Sequence, residues 1–564
     1  MTNHPQDATA TTPPTEKPLV SVICATYNQV SYIRQTLDGF VCQQTTFPFE
    51  VIVHDDASTD GTTTVVKRYE KKFPALIKPV YQPKNIYQND KKAFNEFYFS
   101  ICSAPERGKY IAFCEGDDYW IDPLKLQKQV DFLESHPDYS ICYTHTAIFH
   151  QQENGFAPGG GLRPNLPETS DIYHLAKGNF ILTASVMLRN SPRLWKTLSD
   201  NIGNNAVGDY MIWMLAAREG KIGKLDDVTA VYRVHAGGEW SGATQTRQWQ
   251  RMLDLLEGMI GIFHDDDPKV AATLGGQFFS TAVKLGAALA NEGRINDSLA
   301  CFSRAAQHPP QRHCPVCDAD VFAFDPLPAY YEAMQSRNGY MFAGKAAEMC
   351  NARDYSCPRC GAADRERLYA MFFRDIFATL QEKKATGPFE FLEIAPNAAF
   401  ARFVKSFPFV NYRSMDRFMA EVDDHFDICD MGGYGDGRFH FIVCSHVLEH
   451  IPDDRQALRE LHRILNPVGM ALIVVPIILE LAEDYEDPSK TTAEERWRHF
   501  GQNDHVRCYS KNGFVEKLQT AGFTVQQLGV GHFGEERFAK AGIEPQSVLY
   551  VVERRAEGKT GEGC

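Results

Sequence analysis

From Leu19 onward, short β-branched and apolar runs alternate with amphipathic stretches: LVSVICATY precedes SYIRQTLDGFVCQQ, FEVIVHDDAS precedes TTTVVKRYEKKF, and KYIAFCEGDDYW follows. The runs are too short for helices and rich in Val and Ile, so they read as strands, while the intervening apolar positions recur at helical spacing. Such alternation predicts an α/β domain with a mostly parallel sheet. A polar, Gly- and Pro-rich segment, roughly 151–170, interrupts the pattern before the strand-like ILTASVMLR and a helix around Tyr210 to Arg218. The first domain is therefore expected over 19–242.

Residues 243–311 show helical apolar spacing without strand signals. Within them LGAALANEGRINDSLACFSRAAQHPP resembles one tetratricopeptide repeat, with Ala300, Phe302 and Ala305 on one helix face. A single repeat is not an array, so the stretch reads as a helical linker. A cysteine-rich piece spans 312–364, followed by a helix carrying Tyr369, Phe372, Phe373 and Phe377. After the break at Thr386-Gly387-Pro388 a second α/β pattern begins with FEFLEIAP, NYRSMD, FHFIVCSHVLEHI and GMALIVVPI, so a second α/β domain is expected over 365–554. Residues 1–18, rich in Thr, Pro, Ala and Gln, read as a disordered tail, and 555–564 as a second tail.

At 564 residues the chain exceeds what one hydrophobic core supports. A charged fraction of 23% beside 44% hydrophobic residues is that of an ordinary globular protein, and a formal charge of −14 argues against a broad nucleic-acid-binding face. The most apolar stretch, Met470 to Ala482, is well short of the roughly 20 residues that cross a bilayer. The N-terminus lacks the basic start and apolar core of a secretory signal. Most of the 15 cysteines stand singly in apolar surroundings, as Cys24, Cys114 and Cys444 do, which is the habit of a reducing cytoplasm.

In an open α/β sheet ligands bind outside the carboxyl ends of the strands, and two of these ends are acidic. VIVH runs into Asp55-Asp56-Ala-Ser-Thr-Asp60, and YIAFC runs into Glu115-Gly-Asp117-Asp118. Asp60 also suits a turn or helix cap. The second group does not: three acidic side chains within four residues repel one another unless a cation joins them, and carboxylates suit Mg²⁺ or Mn²⁺. A divalent ion bridging a diphosphate is the expected guest.

Together SVICATYNQ, HDDASTDGT and EGDDYWIDPLKLQKQ resemble the nucleotide-binding half of a family 2 glycosyltransferase of the GT-A fold, over residues 19 to about 242. The resemblance implies transfer of a sugar from a nucleoside diphosphate with inversion. It places Ala25, Tyr27 and Asp56 at the base and ribose, and Asp117 and Asp118 at the metal and ribose. Glu115 stands where an Asp commonly opens the acidic motif. Inverting transfer needs a general base for the acceptor hydroxyl, and Asp209, opening GDYMIWMLAAREG, is the candidate; its other reading is a helix N-cap. In VYRVHAGGEWSG, which resembles the closing loop of these enzymes, His235 is a candidate for the metal or the leaving diphosphate, and Trp240 for the pocket wall.

Cys314-Pro-Val-Cys317 and Cys357-Pro-Arg-Cys360 supply two thiolate pairs at the spacing that lets one tight turn present both sulfurs to one ion. Four sulfurs predict a structural zinc in a ribbon-like segment; a redox pair or two unrelated turns are the alternatives, and His313 and Cys350 are less favoured substitute ligands.

The last domain resembles a class I S-adenosylmethionine-dependent methyltransferase, of the branch that carries a cysteine ribbon in front and reads HVLEHIPDDRQALRELHRILNPVGMALIVVPI. The resemblance spans about 312–554 and implies a Rossmann-like sheet. Asp416 after the second strand is assigned to the ribose hydroxyls, and Asp430 after the third to the adenine amine. Glu393, Ala395 and His446 join them as cofactor-side residues, with Glu449, His450, His505 and Arg507 on the substrate side. The first motif, Glu393-Ile-Ala-Pro-Asn-Ala398, lacks the usual glycines.

The leading expectation is a cytoplasmic bifunctional enzyme of polysaccharide biosynthesis, working at the inner face of the membrane where its acceptor is lipid-linked. It would use Mg²⁺ or Mn²⁺, S-adenosylmethionine and a structural zinc. A transferase with a non-catalytic methyltransferase domain, and a non-enzymatic platform, are the alternatives.

Overall fold

The run VSVICAT becomes β1 (Val20–Thr26) and is buried almost throughout, as a strand covered on both faces must be. The computed structural model describes residues 17–161, 166–201, 208–345, 347–384 and 387–555. The chain divides into two units, 1–309 and 310–564.

In the first unit β1 is flanked by β2 (Phe49–Asp55), itself paired with β3 (Ile77–Tyr81), and on its other side by β4 (Tyr110–Phe113), all parallel. The short β5 (Tyr119–Trp120), the long β6 (Tyr139–His150), β7 (Gly155–Phe156), β8 (Thr169–Ser170), β9 (Val186–Arg189) and β10 (Lys221–Val234) complete a mixed ten-stranded sheet. Its main path runs β3-β2-β1-β4-β9-β6-β10-β5, and the parallel half ends at β4, where β9 pairs antiparallel. β1 thus sits between the two strands whose carboxyl ends carry Asp55-Asp56 and Glu115 to Asp118. That is the topological position at which an open sheet receives a ligand.

The helices Gln245–Phe263, Pro268–Asn291 and Ile295–Ala306 follow. Their Leu253, Leu256, Phe263 and Phe278 belong to the same buried cluster as Ile212 and Trp213. The Gln277 amide donates to the Tyr210 hydroxyl at 2.8 Å. The helices therefore share one core with the sheet rather than forming a separate spacer. The last of them buries Ser298, Cys301 and Ala305, while Ala300 and Phe302 face outward. The sequence-based choice of face is correct only for Ala305.

In the second unit β11 (Arg312–Cys314) and β12 (Ala319–Val321) form a hairpin, and the helix Asp364–Glu382 buries Tyr369, Phe372, Phe373 and Phe377 against the following sheet. That sheet contains β13 (Phe389–Ile394), β14 (Val410–Met415), β15 (Phe439–Ser445) and β16 (Leu465–Val474). A separate pair, β17 (Tyr485–Glu486) and β18 (Arg507–Cys508), precedes β19 (Phe523–Leu528) and β20 (Leu549–Arg554). The sheet order is β14-β13-β15-β16-β20-β19, with β20 inserted antiparallel between β16 and β19. The strand expected before Asp430 is not among the described strands. Residues 421–437 form an irregular segment held by bridges from Met415 to Asp424 and from Asp427 to Asp430, so Asp430 is an exposed loop residue and not a strand-end carboxylate.

Among the described residues no helix is long and apolar enough to cross a membrane. Nearly all of both expected tails, 1–16 and 556–564, lies outside the described residues.

Candidate functional sites

The acidic turn after β4 is fixed from beneath. Thr36 donates its hydroxyl to the carbonyls of Gly116 (2.9 Å) and Asp118 (2.6 Å), and the Gly116 N–H donates to the Ala25 carbonyl at 2.9 Å. A Cβ on residue 116 would stand 2.4 Å from Gln29 Oε1 and 2.7 Å from Thr26 Oγ1, which explains the glycine.

The two aspartates of this turn have different environments. Asp117 meets His235 Nε2 at 2.9 Å. Asp118 is 2% exposed and accepts the backbone N–H of Arg233 at 2.8 Å. Burial, together with the adjacent Asp117 charge, pushes the Asp118 carboxyl well above the usual range. Arg233 also donates Nε–H to the Asp117 carbonyl at 2.8 Å, and its guanidinium lies 4.9 Å from the Tyr32 ring centroid and 5.0 Å from that of Tyr119. Asp117 is the more open of the two, with 18% of its side chain exposed, and His235 and Asp118 are buried beside it. Loss of solvent around the half-buried Glu115, with repulsion from Asp117 and Asp209, pushes its carboxyl up to about 8.

Asp209 is the first residue of the helix Asp209–Ala216, and the N-cap is Gly208. Its carboxylate accepts the Thr183 hydroxyl at 2.7 Å, and burial raises its pKa while that hydrogen bond opposes the rise. Thr183 belongs to the turn Thr183–Ser185, which the motif after the acidic turn holds from behind. Trp120 Nε1 donates to the Ala184 carbonyl (2.9 Å), and Gln129 Nε2 and Lys125 Nζ both donate to the Ser185 carbonyl (2.9 and 3.1 Å).

Asp56 is buried and accepts the backbone N–H groups of Ile86 (2.8 Å) and Tyr87 (2.9 Å), leaving lone-pair capacity on its carboxylate. Ala25 and Tyr27 lie half-buried at the end of β1. Asp60 closes a turn, accepting from Thr62 and from the Val30 N–H, as its capping reading predicts. Trp240 is half-exposed in the loop after β10; that loop is tied down where Glu239 accepts from Tyr87 Oη at 3.2 Å and pairs with Arg251. Thr183, Arg233, Tyr87 and Glu239 escaped the sequence reading, although Thr183 stands inside ILTASVMLR, and Arg233 and Glu239 inside VYRVHAGGEWSG.

A larger cavity, about 690 Å³, opens at the amino ends of β1 and β4 near Lys17, Arg107, Lys109 and Lys196, away from the acidic turn. Each of these four cations already has an oxygen partner.

In the second unit the four ribbon cysteines converge, with Cys314 Sγ 3.8 Å from Cys360 Sγ and Cys317 Sγ 3.9 Å from Cys357 Sγ. A tetrahedron with Zn–S bonds of about 2.3 Å has edges of about 3.8 Å, so the set fits zinc. His313 turns instead to Asp320 at 3.0 Å, and Cys350 is not part of the four-sulfur group.

At the end of β13, Ala395 adopts φ +51°, a glycine-like conformation, and its N–H donates to the Met415 carbonyl. The backbone bend that the glycine-rich form of this motif provides is thus present with an alanine. Glu393 accepts from the Asn397 N–H (2.8 Å) and the Tyr412 hydroxyl (2.7 Å), and burial pushes it up to about 7. A cavity of about 130 Å³ lies against Glu393, Ala395 and Asn397, closed by Arg365, Tyr369 and Ser445. Asp416 accepts the N–H groups of Phe418 and Met419, which turns the chain away from β14.

His446 follows β15 with φ +55° and stands 3.4 Å from the buried Glu449. His450 and His505 pack edge to face at 4.7 Å. Arg507, 4% exposed, donates to the carbonyls of Leu448 and Pro452 (2.9 Å each) and to Glu486, so it braces the turn bearing Glu449 and His450.

Comparison with known proteins follows the same division. The family model Glycosyl transferase family 2 matches residues 21–190, and the family model Methyltransferase domain matches residues 362–528. An uncharacterized protein of Mycobacterium tuberculosis is 36% identical over 255 residues, covering 43% of this chain and 69% of that protein. The Bacillus subtilis protein named "Putative glycosyltransferase EpsE" is 30% identical over 239 residues, 42% of this chain and 79% of its own. The UDP-Glc:alpha-D-GlcNAc-diphosphoundecaprenol beta-1,3-glucosyltransferase WfaP of Escherichia coli is 26% identical over 247 residues, covering 43% of this chain and 87% of WfaP.

Proposed function

Because the chain belongs to glycosyl transferase family 2 and carries a methyltransferase domain beyond it, we propose a bifunctional enzyme acting on a surface glycan or glycolipid. The first unit transfers a sugar from a nucleoside diphosphate with inversion and with a divalent metal. The second methylates the same or a related acceptor from S-adenosylmethionine.

The observation that carries the first activity is the convergence of Asp117 and His235 at 2.9 Å, with Asp209 close enough that it and Asp117 both act on Glu115. The Asp117 carboxylate is a ligand type suited to Mg²⁺ or Mn²⁺, which would supply charge neutralisation for the leaving diphosphate with His235 beside it. Asp118 and Arg233 hold Asp117 in place. Asp209 takes the proton of the acceptor hydroxyl as its oxygen bonds to the anomeric carbon and the nucleoside diphosphate departs. A carboxylate raised by burial is a stronger base for this task than a solvated one. Asp56, Ala25 and Tyr27 form the floor for the nucleoside, and Trp240 covers the sugar side. The acceptor named in WfaP, a diphosphoundecaprenol-linked sugar, supports a lipid-linked acceptor for this chain too.

In the second unit the bend at Ala395 and the cavity beside Glu393 suit one end of S-adenosylmethionine, which supplies an electrophilic methyl group when bound. At about 130 Å³ the cavity is below the roughly 300–1,000 Å³ of a complete ligand pocket, so Glu393 and Ala395 would hold only part of the cofactor and Asp416 would be the residue to meet its ribose. The Cys314, Cys317, Cys357 and Cys360 set holds a structural zinc. The small cavity and the exposed Asp430 favour one competing reading, a glycosyltransferase whose methyltransferase domain is not catalytic.

A thermal-shift panel on the full chain separates these readings, since a ligand of the native state raises apparent stability by mass action. Stabilisation by one nucleoside diphosphate only with Mn²⁺, together with stabilisation by S-adenosylhomocysteine, is the expected result. A diphosphate response without any S-adenosylhomocysteine response would select the non-catalytic domain, and no response to either would leave a non-enzymatic platform.

A further inference from the structure

The short turn Leu448–His450 and the segment around His505 are clipped together: the Val506 N–H donates to the Glu449 carbonyl at 2.9 Å, and Arg507 ties the flanking carbonyls. The clip brings Glu449, His450 and His505 to one point, with a ligating atom of each within 4.8 Å of the others. Glu449 is fully buried, and neither of its carboxylate oxygens has a hydrogen-bond partner. The His446 ring stands at ion-pair distance, 3.4 Å, from one of them, and the other has no partner. A buried carboxylate left in this way is costly unless a cation joins it.

The two imidazoles are arranged for such a cation. His505 Nδ1 faces the Phe500 carbonyl at 3.3 Å, and His450 Nδ1 faces the Asp504 carboxylate at 3.2 Å. In each ring an oxygen lies near Nδ1, so Nε2 is the nitrogen free to ligate. This is the outer-shell pattern that orients metal-bound histidines.

We propose that Glu449, His450 and His505 form a second metal site, distinct from the four-cysteine set, for a divalent transition-metal ion such as zinc. Imidazole ligands exclude Mg²⁺ and Ca²⁺ as preferred guests. Two histidines and one carboxylate fill three positions, so the fourth stays open to water or to an oxygen of a methyl acceptor. The latter role rests on the methyl-transfer reading; the metal site itself does not.

The test is metal counting on the full chain after equilibration with zinc chloride and desalting. Wild type is expected to retain two equivalents, and Glu449→Gln, His450→Gln and His505→Gln one each, every variant keeping a cooperative melt. Cobalt added to protein carrying a single zinc equivalent, which fills the four-thiolate set first, is expected to give a visible d–d spectrum without the sulfur charge-transfer band of a four-thiolate site, and the variants should abolish it. Should the buried Glu449 variant fail to fold, the wild-type cobalt spectrum and the half-exposed His450→Gln variant decide. Retention of a single equivalent by wild type would overturn the proposal. So would a second equivalent that survives all three substitutions but is lost in Asp117→Asn. Because the count needs no acceptor or methyl donor, its failure is distinguishable from failure of methyl transfer.

Discussion

Thr183 and Asp209, 26 residues apart, are joined by a 2.7 Å hydrogen bond from hydroxyl to carboxylate at the edge of the acidic crevice. The threonine favours the ionised form of the proposed base, while burial favours the neutral one.

Removing that donor therefore shifts the balance in a known direction. Thr183→Val is expected to raise the Asp209 pKa further, moving the acidic limb of the kcat/KM profile for sugar transfer to higher pH and lowering the rate below that limb by about tenfold. Asp209→Asn is expected to cost about 10²–10⁴-fold at every pH, the range of a lost general base. A pH–rate series with both variants checks the assignment; an unmoved limb in Thr183→Val would detach the threonine from the base.

The ribbon offers a second measurement. Cys360→Ser should remove one zinc equivalent and lower the melting temperature of the second unit, because a structural site's binding energy is folding energy. Metal analysis and calorimetry read the two effects together, and a melt that stays put after zinc is lost would separate the ion from the fold.

Ala395 occupies a conformation that costs a non-glycine residue about 1–2 kcal/mol, against about 0.5–1 kcal/mol of extra chain entropy for glycine. Ala395→Gly is thus expected to leave stability unchanged or raise it by up to about 1 kcal/mol, with S-adenosylhomocysteine affinity retained. Ala395→Val places a β-branched residue where it is a genuine outlier and should weaken that affinity at least about tenfold. Titration calorimetry on the two variants distinguishes a backbone role from a side-chain one.

Glu393 is held at about 7 by burial, above its ordinary 4.5. A carboxyl raised on folding contributes most below its unfolded value, and that contribution is lost as pH climbs through the folded one, a difference of about 3 kcal/mol at most. Glu393→Gln should accordingly melt higher than wild type at pH 8, and the gap should shrink as pH falls toward 4.5. Parallel melts across that range show whether the gap closes.

Much of this organisation was legible in the chain. Acidic residues at the ends of β2 and β4, the paired cysteines and both strand-helix alternations are local patterns, and each predicts its element directly. What escaped depends on contacts between distant segments. Asp117 and Asp118 are adjacent in sequence, yet only the fold shows that one meets His235 while the other is buried against the Arg233 backbone. Asp209 reads as an N-cap until Gly208 takes that position and Thr183 arrives from another turn. The missing strand before Asp430 escaped because DICDMGGYGDG has acidic and glycine residues that suit either a strand end or an irregular loop. Glu449 and His505 reveal their relationship only through the clip at Val506 and Arg507.

The sharing of one core by the sheet and the helices of 245–306 bears on how such a chain is inherited. Gln277 reaches Tyr210, and Leu256 and Phe278 complete the buried surface around Trp213, so these helices are no interchangeable hinge. A recombination joint near residue 242 would strip an apolar flank from the catalytic sheet and invite aggregation, whereas one near Pro309 would carry it intact. The transferable module is the sheet with its helical flank, and natural swaps of partner domains are expected to fall at that later joint.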